Sequence, residues 1–186
     1  MSLIESRKRT NMNLSQIANQ DFRLPPSYIY VIAEIGINHN GDIGIAEQLI
    51  AMAKHAGCDA VKFQKRDLET VYGKEFLLEK RDSPWGNTQG DQKRGLEFDA
   101  DQYKHLSEYA KGMGLGFSAS AWDEKSLRFL DEYNLEFHKI ASALATKTDF
   151  LAEVASRGIV TVLSLGMCSW EDADLAVSIF DKHNCP

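Results

Sequence analysis

Residues 28–35 read YIYVIAEI, an unbroken apolar and β-branched run of strand length. Such a run suits a parallel strand covered on both faces. A turn at Asn40-Gly41-Asp42 follows, after which Ile45, Leu49, Met52 and Ala56 recur at helical spacing and Gly57 closes the helix as a cap residue. Residues 60–64, AVKFQ, read as a second strand. The unit then returns. Asp99 and Gln102 have the spacing of a capping box, and Tyr103, Leu106, Ala110 and Met113 line one face of the helix it opens. Residues 115–120 are strand three; Asp123 caps the next helix; strand four lies within 136–142; Thr148 opens a helix closed by Gly158. Residues 159–165 are strand five, and Ser169 caps a last helix carrying Leu175, Ala176, Ile179 and Phe180.

Five strands alternating with helices predict an α/β fold with a parallel sheet. Two architectures compete, a doubly wound open sheet and a (β/α)8 TIM barrel. The first calls for GxGxxG after its opening strand, and IGINHNGD does not supply that spacing. Polar residues recur at the C-terminal ends of several strands (Glu34, Lys62, Gln64, Ser120, Lys139 and Ser164), and a barrel gathers such positions at one mouth. A barrel takes about 250 residues, so the 186 residues here are expected to carry only about the first five βα units, over 28–186. Residues 1–27, ending at Pro25-Pro26, read as a flexible N-terminal extension. One segment breaks the rhythm. Residues 65–98, charged and holding Pro84, Trp85 and Gly86, far exceed a βα loop of about 2–6 residues. A substrate-covering lid is the expectation, with a partner contact or a disordered segment as alternatives.

A net charge of -6 argues against a general nucleic-acid binder, which needs a positive face, but leaves room for a small anionic substrate. Cys58, Cys168 and Cys185 form no CxxC pair, so neither a zinc knuckle nor a disulfide framework is indicated, and a reducing cytoplasm is the expected compartment. No apolar run approaches the roughly 20 residues of a membrane span, and the first residues lack a secretory apolar core. The histidines show neither HxxxH nor HExxH, so this chain assembles no metal site by sequence; GxSxG and P-loop motifs are absent too.

Side chains alternate across a strand, so Lys62 and Gln64 share one face while Val61 and Phe63 share the other. The apolar pair belongs against the helices, which turns Lys62 and Gln64 inward. A buried lysine is costly unless an anion meets it; the bland alternative is a strand-end lysine that reaches solvent. Lys139 repeats the pattern, with His138 and Ile140 expected to face the helix layer. Two inward lysines from different strands make a pocket for a phosphate or carboxylate. Glu34 beside them either balances charge, holds a substrate hydroxyl or moves a proton. Ser118 and Ser120 share a face, and Ser142 and Ser164 sit at strand ends, where hydroxyls complete an anion cradle or act as simple caps.

AEIGINHNGD, VKFQK, SPWGNTQGDQKRGLEF, HKIAS and LSLGM, in this order and spacing, resemble the successive landmarks of the sialic acid synthases. That family includes N-acetylneuraminate synthase and the bacterial legionaminic and pseudaminic acid synthases. The resemblance implies a (β/α)8 barrel enzyme of the cytoplasm. It condenses phosphoenolpyruvate with an N-acyl amino sugar of the N-acetylmannosamine kind, in its open aldehyde form, to a nine-carbon ulosonic acid, and phosphate leaves. It further implies that Lys62 and Lys139 bind phosphoenolpyruvate, aided by Ser120, Ser142 and Ser164, that Gln64 helps hold the sugar, and that Glu34 is the acid–base group. A divalent metal, Mn2+ or Mg2+, polarises the aldehyde in the family through histidines of later strands. An antifreeze-like domain reaches the partner's site in the homodimer. The chain departs from the family pattern at Leu165, where a threonine is usual, and at SASAWD on strand three. With later strands outside this sequence, the polypeptide alone is expected to be inactive. Two alternatives stand beside this reading: a phosphoenolpyruvate-dependent ulosonate phosphate synthase, which would carry a site for a phosphorylated sugar, and a non-catalytic binding domain on the same fold.

Overall fold

The computed structural model describes residue 14 and residues 29–186; the extension expected over 1–27 lies, apart from Leu14, outside the described residues. The chain runs through β1 (Ile32–Gly36), α1 (Ile43–His55) and β2 (Ala60–Lys65). An insertion follows, made of α2 (Leu68–Val71), α3 (Lys74–Leu78), β3 (Lys80–Ser83), β4 (Gly86–Thr88) and α4 (Gln89–Gly95). Next come α5 (Ala100–Gly112), β5 (Gly116–Ala121), α6 (Glu124–Leu130) and β6 (His138–Ile140). A 3-10 turn (Ser142–Leu144), α7 (Thr148–Ala155), β7 (Thr161–Leu163) and α8 (Trp170–Lys182) complete the path.

The main sheet is parallel, in the order β1-β2-β5-β6-β7. The order never reverses, so there is no switch point of the kind that defines a doubly wound sheet. Successive βα units lie side by side, and the sheet is a partial TIM barrel. Its helices begin where the sequence signals them. Asp42 accepts from the Ile45 N–H and Asp123 from Ser126, while Asp99–Gln102 and Ser169–Asp172 form full capping boxes, each cap worth about 1 kcal/mol.

Alternation divides the strands as expected. Val61, Phe63, Phe117, Ala119 and Ile140 face the helices and join one core with Ile50, Leu106, Leu127, Leu130, Leu151 and Val154. His138 is buried on that side as well, 3% exposed. On the opposite, inner face, Ala60, Phe137 and Val160 cluster with Leu14, Tyr30, Ile32 and Val162 around the N-terminal strand ends. This apolar floor leaves the inward positions nearer the C-terminal ends to polar side chains.

Two expectations need comment. Among the described residues the first strand starts at Ile32 and not before, because the Asp59 carboxylate takes the Val31 N–H at 2.7 Å and the Val31 carbonyl accepts from the Asp59 N–H at 2.8 Å, so the ladder begins beyond that clamp; Tyr28 lies outside the described residues. The long segment after β2, expected to be a lid, is built from short helices and an antiparallel hairpin, which rules out the disordered alternative. Its two ends meet: Arg66 Nε donates to Glu97 Oε1 at 2.8 Å and Lys65 Nζ to the Phe98 carbonyl at 2.7 Å. Its body rests on the turn after β1. A Cβ on Gly41 would lie 1.9 Å from the Gly95 carbonyl oxygen, and one on Gly95 only 2.1 Å from the Trp85 ring, so this contact admits hydrogen alone.

Candidate active site

Strand register places the inward polar residues before any side chain is considered. Glu34 pairs with Lys62 and Lys62 with Ser118; one step further on, Gln64 pairs with Ser120 and Ser120 with Lys139. These residues therefore form two adjacent rows across four strands, above the apolar floor.

The side chains close the rows into a network. Lys62 Nζ lies 2.8 Å from Glu34 Oε2 and donates to Ser120 Oγ at 2.9 Å. The Lys62 side chain is 7% exposed and that of Glu34 61%, so a buried cation is held by a carboxylate free to swing away. Lys139 Nζ donates to Ser164 Oγ at 2.6 Å and to the Ile140 carbonyl at 2.8 Å. Burial, then repulsion from Lys62, pushes the Lys139 pKa below the usual lysine value, with Glu34 opposing. Register sets Lys139 opposite Ser120, the hydroxyl that Lys62 holds, so the two lysines flank β5 on the inner face. An anion entering there relieves their repulsion and replaces the single Glu34 contact.

Gln64 stands beside Ser120; its backbone carbonyl accepts from Tyr103 Oη at 2.8 Å, and its side-chain amide makes no hydrogen bond among the described residues. That amide is available to a ligand. Ser142 lies just past β6, opening the 3-10 turn, and a Cβ on Gly166 would be 3.7 Å from its Oγ. It thus borders the turn that follows Ser164 but is not joined to Lys139. Within that turn Met167 takes a φ of 65°, a left-handed conformation uncommon for a side chain of its size, and Leu165 is exposed. Ser118 is removed from any ligand role: its Oγ, fully buried, donates to the Phe137 carbonyl at 2.7 Å and ties β5 to the strand beside it.

Sequence reasoning passed over His39 and the Arg66–Glu97 pair. His39 is 2% exposed, stacks on Phe98 with ring centroids 4.1 Å apart and accepts at Nδ1 from the Gly41 N–H at 3.1 Å. Burial holds its pKa down to about 4, so it is a neutral packing group. Arg66 and Glu97 are 31 residues apart in sequence, a distance over which no local pattern carries a signal.

A cavity of about 760 Å³ lies beside the network and not over it, lined by Thr70, Trp122, Lys125, Leu144 and Lys147 among others. The inner face of a five-stranded arc is open on one side and encloses nothing by itself. Among the described residues no three His, Cys, Asp or Glu side chains come together as metal ligands. The divalent ion that the resemblance implies therefore finds no holder among them, and no step below runs through it.

Comparison with known proteins follows the same lines. The sequence model of the NeuB family matches residues 49–186. N-acetylneuraminate-9-phosphate synthase of Homo sapiens is 42% identical over 144 residues, covering 76% of this chain and 40% of that protein. N,N'-diacetyllegionaminic acid synthase of Legionella pneumophila is 34% identical over 151 residues, covering 80% and 42%. The chain thus spans about two fifths of the length of the curated relatives it matches. The crystal structure of N-acetylneuraminic acid (sialic acid) synthetase from Leptospira borgpetersenii, in complex with citrate, superposes with a TM-score of 0.74 at 29% identity, covering 85% of this chain and 52% of that one. A truncated 3-deoxy-D-arabino-heptulosonate 7-phosphate synthase from Thermotoga maritima, at 14% identity and a TM-score of 0.59, shares the fold alone.

Proposed function

The chain belongs to the NeuB family, and on that premise we propose that the protein carrying it condenses phosphoenolpyruvate with the open-chain aldehyde of an N-acyl amino sugar, giving a nine-carbon ulosonic acid and inorganic phosphate. What supports this most is the pair of lysines on the inner face, Lys62 of β2 and Lys139 of β6, either side of the Ser120 position of β5, with Glu34 paired to Lys62. Two ammonium groups suit a small anion carrying both carboxylate and phosphate. Ser120 and Ser164, already fixed by those lysines, supply hydroxyl donors once the ammonium groups turn to the anion.

In the proposed reaction the π electrons of the C2–C3 double bond of phosphoenolpyruvate form the new bond to the aldehyde carbon. The aldehyde oxygen takes up a proton and C2 becomes cationic. Water adds at C2 and loses a proton; the C2–O bond to phosphate then breaks and the carbonyl forms. Glu34, released from Lys62 when the anion binds, is placed to steady the cation and to accept the proton from water. The Gln64 amide is placed to orient the sugar, and holding both reactants on one rim supplies the proximity term. A homodimer and a cytoplasmic setting go with this reading. No helix among the described residues is long and apolar enough to cross a membrane.

The test is a phosphate-release assay on the complete protein with phosphoenolpyruvate, Mn2+ and a panel of N-acyl hexosamines. Release that depends on one of these sugars is the expected result; none with any of them overturns the reading. The isolated 186-residue chain is expected to release no phosphate in the same assay. Release only with a shorter phosphorylated aldose would favour the ulosonate phosphate alternative.

A further inference from the structure

We propose that Tyr103 is a positioning residue for the acceptor sugar: its hydroxyl takes the place of a missing strand and fixes the end of β2 that carries Gln64. This rests on the acceptor reading above and adds a residue to it.

Backbone groups of a strand point alternately to its two neighbours. In β2 the Ala60 N–H donates to the Val31 carbonyl at 3.3 Å, on the β1 side, and the Lys65 carbonyl accepts from the Trp122 N–H at 3.1 Å, on the β5 side. Ala60, Lys62 and Gln64 therefore address β1. At Gln64, β1 is no longer there to meet the carbonyl. The pairing of the two strands shifts between Glu34 and Gly36 and stops at Phe63. Gly36 takes a φ of 57°, and the Ile35 carbonyl turns to the N–H and the side-chain amide of Asn38, each at 2.9 Å. Irregularities of this kind end pairing and re-aim side chains. This one follows Glu34 directly and leaves the Gln64 carbonyl without a strand partner.

Tyr103 of α5 fills that place. It is 2% exposed, and its ring packs against Tyr133 and edge-on, at 84°, against Phe117 and Phe129. A phenylalanine ring would pack there as well, and a hydroxyl in such surroundings is costly unless it is bonded. The hydroxyl donates to the Gln64 carbonyl at 2.8 Å. Burial, then the Glu97 carboxylate, raises the Tyr103 pKa well above the ordinary tyrosine value, so the donated proton stays in place. Glu97 holds the strand two residues on, accepting the Arg66 N–H at 3.3 Å. The end of β2 is thus fixed by its backbone while the Gln64 side-chain amide stays free, as a group that orients a ligand requires.

The experiment takes the complete protein with phosphoenolpyruvate and the N-acyl hexosamine that gives release in the assay above, and compares Tyr103→Phe, Gln64→Ala and the double variant. Tyr103→Phe is expected to raise the KM for the sugar about tenfold, with kcat and the KM for phosphoenolpyruvate changed by less than about twofold. In the Gln64→Ala background the same substitution is expected to add nothing, because Tyr103 acts through Gln64. Ser118→Ala controls for general loosening: it removes another buried hydroxyl-to-carbonyl bond, of 2.7 Å, from the next strand. It is expected to lower the melting temperature, as Tyr103→Phe does, and to leave the sugar KM unchanged. An unchanged sugar KM in Tyr103→Phe, an equal rise in both backgrounds, or an equal rise in Ser118→Ala overturns the proposal. If no sugar gives release, the condensation reading fails by itself, and calorimetric titration with N-acetylmannosamine decides the role of Tyr103. Binding weakened in Tyr103→Phe and kept in Ser118→Ala upholds it; binding unchanged in Tyr103→Phe, or absent from the unsubstituted protein, removes it.

Discussion

Lys139 stands opposite Ser120 in the register of β5 and β6, and Ser120 is the hydroxyl that the Lys62 ammonium holds from the other side. One serine thus stands on the strand between the two that carry the cations.

Lys62→Ala in the complete protein is expected to raise the KM for phosphoenolpyruvate by about 10- to 100-fold, the loss of a charge-assisted contact. Steady-state kinetics at saturating acceptor measure it. An unchanged KM would remove Lys62 from the site.

Lys139 gives a pH-dependent signature. Its pKa is depressed in the folded chain by burial and then by Lys62, so the unfolded chain holds that proton more tightly. Between the depressed value and the usual lysine value of about 10.4, stability from this group rises with pH. Lys139→Met removes the penalty. Its melting temperature relative to the unsubstituted protein should be most favourable near neutral pH, and the advantage should shrink as pH climbs toward about 10. A difference that does not vary with pH would show that the two ammonium groups do not repel.

His138 should make the fold acid-sensitive. Burial lowers its pKa from 6.5 to about 4, with Asp131 opposing and Arg157 reinforcing, and its Nε2 is buried without a partner. The unfolded chain takes up the proton first, so stability falls as pH drops from 6.5 toward 4. His138→Leu is expected to raise the melting temperature and to flatten that fall. It will not abolish it, because His39 titrates in the same window. Melts at a series of pH values decide; a slope as steep as before would assign the acid sensitivity elsewhere.

Gly95→Ala should unseat the insertion. A methyl group there meets the Trp85 ring at 2.1 Å, and overpacking of this kind costs about 1–3 kcal/mol. Faster amide exchange confined to residues 65–98 is the expected readout. Exchange rising equally across the sheet would mean that the insertion and the barrel unfold as one unit.

Much of this arrangement was legible in the sequence because it depends on local periodicity. Alternation in AVKFQ assigned Lys62 and Gln64 to the inner face, and the Asp99, Asp123 and Ser169 signals marked helix starts that the structure reproduces. Where alternation ends, so does the reading. Ser142 sits beyond the three residues of β6 in a 3-10 turn, where a period of two has no meaning. Ser118 shares a face with Ser120 yet is spent on the Phe137 carbonyl, a partner that only the neighbouring strand reveals. The insertion hid its elements because its helices, of four to seven residues, are too short to show a hydrophobic period. Its Arg66–Glu97 closure joins positions that no spacing rule connects.

That closure has an evolutionary corollary. A stretch that departs from a scaffold and rejoins it at a single point can be lengthened, shortened or exchanged wholesale while the strands beneath keep their alignment. Descendants of one ancestral barrel can therefore differ in this segment while Lys62 and Lys139 keep their places on the strands beneath.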